Sequence, residues 1–336
     1  MPRTFDIDTL VDLVVNRARV DTTAPDPNNL RNGWLTDALL TQAIDGLVVG
    51  QYNEPAAYAE IGRKVLAQVG NLPEIAALAQ LAIFRGERLL PLTLGRELSA
   101  ILIIKELEHG IAALPDGPRK MRCRSLLQYH QGVFYDACGR FALAAEFQLR
   151  SAQEASRFDD LSGMAIALFM NKIYCLKDAL RTGEPIAESI FPDIERGFAA
   201  LVTTMRGFIL EVQWAEANGP VYMIEACIWL NRIHPDWNDW VATALAAAEK
   251  LGTSWDLCAE FVRAVDMDRR GDPLAEEALN AVAESSDANE RRAAALLILA
   301  RRAMDKGRAE KAREIVARMP EQGAQHVIAV ANRRVK

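Results

Sequence analysis

Long segments of helical apolar periodicity, separated by short glycine-containing breaks, run through most of this chain, and that alternation leaves room for helices and little else. The run HQGVFYDACGRFALAAEFQLRSAQEA, within residues 119–158, shows it best. Apolar side chains recur at helical spacing on both sides of Gly139, so the segment reads as two antiparallel helices that reverse at the glycine. Glycine suits that position because the end of the first helix needs a residue tolerant of left-handed backbone angles. Further breaks are expected at Gly183, Gly219, Gly252, Gly271 and Gly307, and nothing reads as a strand. Gly183 to Gly219 and Gly271 to Gly307 are both steps of 36 residues.

Small residues line the seam of such a hairpin and rings fill the space beside it. Gly132 and Ala144 would let the paired helices close up, while Tyr135, Phe141 and Phe147 pack between hairpins. The segment LILARRAMDKGRAEKAREIVARMP repeats the scheme with Ala300, Ala303, Gly307, Ala312 and Val316. Through Gly132, Tyr135, Gly139, Phe141, Ala144 and Ala152, and through this second segment, the chain resembles the tetratricopeptide-repeat family, whose units recur at about 34 residues. The resemblance implies an all-α fold, a right-handed α-α superhelix of stacked antiparallel helical hairpins (a TPR-like solenoid) over residues 119–336.

In that family the first helix of each hairpin lines a concave groove. Carried over from the turn glycines, the groove positions fall on Tyr129, Val133 and Asp136, then Lys177, then Arg206, Gln213 and Glu216, and finally Asp268 and Arg301. The subtype that grips a C-terminal carboxylate needs Lys and Asn where Tyr129 and Val133 stand, so the resemblance does not extend to that clamp.

Residues 1–116 form a separate N-terminal helical segment by this reading. Phe5, Ile7, Leu10, Val11, Val14 and Val15 have helical spacing, and DTTAPDPNNLRNG marks a loop at 21–33 because proline removes a donor and bars helical geometry from its predecessor. Helical patterns resume over 34–49, 55–69, 73–84 and 94–114, and a Pro-Asp-Gly-Pro turn at 115–118 closes the segment.

Composition sets the functional bounds. With 50% hydrophobic and 25% charged residues the chain can build a substantial core. The net charge of −6 gives no whole-chain reason to expect a nucleic-acid partner. From Asp287 onward, however, twelve bases face six acids, which leaves +6 there and −12 on the preceding residues. That basic tail is read as a solvated helix surface rather than a docking site for an acidic partner. The five cysteines are widely spaced and lack a C-x-x-C pair, as buried thiols of a reducing compartment would be. No stretch approaches the ~20 apolar residues of a membrane span, and Asp6, Asp8 and Asp12 interrupt any apolar leader, so a cytoplasmic location is expected.

Several chemistries suggest themselves and are set aside. Glu106 and His109 make a lone E-x-x-H, half of a di-iron site with no second half. DMDRRGDPLAEE places Asp266, Asp268, Gly271 and Glu277 as a calcium loop would, but Arg270 stands where an oxygen ligand belongs, so a helix end followed by a helix start is expected. Asp159 and Asp160 read as capping residues. The tryptophans of WLNRIHPDWNDW read as the core of an irregular junction, with His234 and Pro235 interrupting a helix. P-loop, nucleophile-elbow and zinc-protease signatures are absent. The expected function is therefore a non-catalytic scaffold that binds a protein or peptide partner through Tyr129, Asp136, Lys177, Arg206, Gln213, Glu216 and Arg301, without cofactor or metal. The alternatives are a regulatory sensor that binds a small molecule or signalling peptide and controls a separate effector, and an all-helical enzyme without a recognisable motif.

Overall fold

The structure, a computed structural model, describes residues 8, 11–12, 15–16, 55–69, 79–80, 94–157, 160–186, 189–205, 209–251, 256–285, 289–320 and 323–335. All regular structure among them is helical. The helices are α1 (Pro55–Val69), α2 (Leu94–Ala112), α3 (Pro118–Ala137), α4 (Phe141–Ser156), α5 (Leu161–Thr182), α6 (Ile190–Met205) and α7 (Ile209–Leu230). They continue with α8 (Trp237–Leu251), α9 (Asp256–Arg269), α10 (Ala275–Ser285), α11 (Asn289–Asp305), α12 (Ala309–Ala317) and α13 (Gln325–Val335). The loop expected at 21–33, the helix expected at 34–49, most of that at 73–84 and the break at Gly252 lie outside the described residues.

The chain divides into two compact units, residues 1–134 with 147–167, and residues 135–146 with 168–336. The turn at 115–118 lies inside the first unit, and α3, α4 and α5 each contribute residues to both.

In the first unit Ile61, Val65, Ile104, Leu107, Ile111, Leu127 and Phe134 are buried at helical spacing. Here α3 and α4 approach closely because both present serine. Ser125 Oγ donates to the Ser151 carbonyl at 3.1 Å and Ser151 Oγ returns a bond to the Ser125 carbonyl at 2.9 Å. Asp160 caps α5 by accepting the Gly163 amide at 2.7 Å, as a capping residue should. Glu106 and His109 stand exposed on α2.

In the second unit each helix from α6 to α13 packs on the next, α11 also packs on α9 and α13, and α7 touches α11 directly. Several of the helix reversals share one design, while Gly183, with φ +79°, instead donates its amide to the Ala179 carbonyl at 3.0 Å. At Gly139, φ is +71°, the Gly139 amide bonds the Asp136 carbonyl and the Arg140 amide bonds the Tyr135 carbonyl, both at 2.8 Å. This pair of bonds satisfies carbonyls orphaned at the helix end, and it requires a left-handed residue. The same pair recurs around Gly271 and Gly307. Around Gly271 the fresh helix start is explicit, since Asp272 Oδ1 accepts the Leu274 amide at 2.8 Å.

One expected break is displaced. Helix α7 runs straight through Gly219 and Pro220, and the reversal comes at Asn231, with φ +53° and the same two bonds, from Asn231 N to the Ile228 carbonyl and from Arg232 N to the Cys227 carbonyl. Asparagine can serve because its short polar side chain tolerates left-handed geometry. Gly219 has another task. A Cβ there would collide with the Phe198 ring, so the glycine lets α6 approach α7. The equal spacing from Gly183 to Gly219 therefore does not measure a turn-to-turn repeat. Trp229, Trp237 and Trp240 are buried at this junction, as a packing role requires.

Candidate functional site

The inner ends of α3, α5, α7, α11 and α13 in the second unit place charged and aromatic side chains into one buried cluster. Lys177, on α5, follows a run of apolar residues that would bury any side chain on this face, and its own side chain is wholly buried. Its Nζ bonds Asp136 Oδ1 at 2.9 Å and Glu290 Oε2 at 3.0 Å. The ammonium also lies over the rings of Phe141, Tyr174 and Trp229, at 5.8, 5.4 and 5.8 Å from their centroids. That arrangement adds a cation–π attraction in a desolvated place. Burial by itself would lower the Lys177 pKa, but the two carboxylates override it and hold the amine above its ordinary value, fully charged.

Glu290 responds in the opposite sense. Burial would raise it, yet Lys177 and His326 hold it down at about 2. His326, wholly buried on α13, sits edge-on to Trp229 (4.6 Å) and Phe141 (5.1 Å). Its Nε2 is 3.1 Å from Glu290 Oε1, but the ring N–H is turned off that oxygen, so neither ring nitrogen has an aligned hydrogen bond. Burial pushes its pKa below the usual imidazole value, against the pull of Glu290, and the ring is neutral. Glu225, on α7, is pushed up to about 8 by burial and by the neighbouring Glu290 carboxylate. The Arg291 Nε, 4.0 Å away, stands at the outer limit of an ion pair and offsets this only in part.

A second feature lies toward the far ends of α11 and α13. Asn231, Leu297, Arg301, Asp305, Arg334 and Val335 line an open cleft of about 280 Å³. Arg301 makes one long bond, Nη2 to the Trp229 carbonyl at 3.5 Å, and its Nε is buried with no partner. Burial and the neighbouring Arg334 hold its pKa down at about 10. Since Glu290 and His326 meet at the starts of α11 and α13 while Arg301 and Arg334 share a cleft near their ends, the two helices run parallel.

The seven residues expected to line a groove are thus distributed unevenly. Asp136 and Lys177 come together, bonded to each other inside the buried cluster. Arg301 lies in the open cleft. Tyr129 is a half-buried residue of the first unit whose carbonyl accepts Gln148 Nε2, and Glu216 is half-buried on α7. Arg206 and the side chain of Gln213 lie outside the described residues. Asp268 is ion-paired with Arg302 at 3.0 Å. Sequence reasoning missed Glu290, His326, Glu225 and Trp229, which belong to helices far apart in the chain. The one signal pointing toward them was a lysine placed directly after the apolar run IYCL.

The basic tail is largely paired within its own unit. Arg302 meets Asp268, Lys306 meets Glu276 at 3.3 Å, Arg318 approaches Glu284 at 4.0 Å, and Arg333 donates to the Leu180 carbonyl. No disulfide joins the five cysteines, and burial pushes the Cys227 thiol up to about 12. Among the described residues, no helix is long and apolar enough to cross a membrane. Comparison with protein-family models, with curated proteins and with solved structures finds no match for this chain.

Proposed function

We propose that the chain is a non-catalytic binding scaffold, a TPR-like right-handed stack of helical hairpins that meets a protein or peptide partner along the side formed by its odd-numbered helices. The parallel course of α11 and α13, and the packing of α9 on α11, support a stacked-hairpin arrangement. The observation that carries the binding role is Arg301, a groove position with a buried, unpartnered Nε at an open cleft. A buried donor without a bond costs about 1–3 kcal/mol, a cost an incoming acceptor removes. The non-catalytic character is supported by the state of Lys177, because covalent or base chemistry needs a neutral amine and this one is held charged between two acids. Affinity capture with wild-type and Arg301→Gln baits tests the scaffold. At least one partner should drop by about tenfold with the variant, the loss of one charge-assisted bond; retention of every partner would remove Arg301 from the binding surface.

A second reading, the regulatory sensor, is favoured by the size of the cleft, which suits a small molecule. Both α11 and α13 carry a cleft arginine near one end and a member of the charged cluster near the other. A ligand drawing Arg301 and Arg334 together would therefore bias the helices that hold the cluster. Small-angle scattering with and without small-molecule cell extract checks this: a changed profile is expected, and an unchanged one counts against the sensor.

A further inference from the structure

We infer that the cleft between α11, α13 and the turn at Asn231 binds a small aliphatic carboxylate bearing a hydrogen-bond donor on the adjacent carbon, that is, an α-amino or α-hydroxy acid with a short apolar side chain. This rests on the sensor reading of the same cleft and names its ligand class.

The charges define the head of the ligand. Arg301 and Arg334 line the same cleft, Arg334 is near enough to disfavour the Arg301 charge, and neither forms an ion pair among the described residues. Asp268 and Asp305 attract the Arg301 guanidinium from nearby without pairing to it. Two guanidiniums that hold no direct ion pair form a site that a planar carboxylate can fill with paired N–H···O bonds. Asp305 lines the same cleft one helical turn beyond Arg301, and it too forms no ion pair there. Were Arg301 a structural residue, Asp305 would be its natural i,i+4 partner. Near Arg301 but not bonded to it, Asp305 offers an acceptor for a donor beside the ligand's carboxylate. Leu297, Met304 and Val335 supply an apolar lining. The volume of about 280 Å³ fits a short side chain rather than a stretch of folded polypeptide.

The test is isothermal titration calorimetry on the full chain with L-leucine, 2-hydroxyisocaproate, leucinamide and inorganic phosphate. Either acid should bind, whichever is tighter identifying the amino or the hydroxy form. Leucinamide, which lacks the carboxylate, should bind at least about tenfold more weakly. Arg334→Gln, an exposed substitution that should leave the melting temperature unchanged, should weaken the acid by a similar factor. Four results overturn the inference: no heat with either acid, leucinamide equal to leucine, phosphate equal to leucine, or Arg334→Gln equal to wild type. If a cell extract changes the scattering profile while these probes fail, the ligand class falls and the sensor stands.

Discussion

Lys177 is enclosed by two carboxylates and by three rings, so any change in its charge would be felt by every neighbour. Among the groups of this cluster Glu225 has the most visible consequence. Its ordinary value is 4.5 and its folded value is about 8, so folding favours the protonated acid. A raised pKa contributes stability that is complete below the unfolded value and is lost as pH rises through the folded one. His326 works the other way, its lowered pKa costing stability only as pH falls below 6.5. From pH 6.5 to 8 the His326 contribution fades and is common to both proteins, so the difference between wild type and Glu225→Gln isolates Glu225. There the wild type should lose stability as pH rises, on the order of 1 kcal/mol per pH unit, while Glu225→Gln should lose markedly less. Urea titrations across that range check it, and parallel slopes for the two proteins would refute it.

Helix α7 is the element in which local propensity and packing oppose each other. Glycine in a helix interior costs roughly 0.5–1 kcal/mol relative to alanine, and an interior proline removes a ladder bond. Yet α7 keeps both Gly219 and Pro220. The Phe198 ring occupies the space a Cβ would need, and Phe198 itself packs against Phe169, which in turn meets Tyr222, so the ring has little room to retreat. Overpacking costs about 1–3 kcal/mol. Gly219→Ala should therefore destabilise the protein by about 1–2 kcal/mol net, although propensity alone predicts a gain. Thermal and denaturant melts decide the sign, and Phe198→Leu in the same background should restore much of the loss.

At the scale of the molecule, the cluster ties together residues 136, 177, 290 and 326, which only the folded second unit brings into reach. Removing one partner of a buried pair costs about 3–5 kcal/mol because the other charge is left uncompensated. Asp136 and Glu290 each keep 20% of their side-chain surface, which lets water take part of the load. Lys177→Met is accordingly expected near the lower end, about 3 kcal/mol. Amide hydrogen exchange should show protection falling together in α5, α11 and α13, as one cooperative body, with α1 and α2 of the first unit little changed. A loss confined to α5 would mean that the cluster does not couple these helices.

Several features were legible because they depend on neighbours in sequence. Helical periodicity gave the all-helical character, and the reversals at Gly139, Gly271 and Gly307 followed from the need for a left-handed residue at a helix end. The caps at Asp160 and Asp272 were readable for the same reason. Gly219 and Asn231 were not, since a glycine that ends a helix and one that admits a ring look alike until the ring's position is known. Nor could the sequence say that Lys177, read as a groove residue, would be enclosed by Asp136 and Glu290. The chain by itself determined which stretches are helical and where most of them stop, because those are short-range choices of backbone angle and side-chain spacing. Tertiary structure alone decided which charges are buried together and which arginines stand without an ion pair, because that depends on the packing of helices separated by more than a hundred residues.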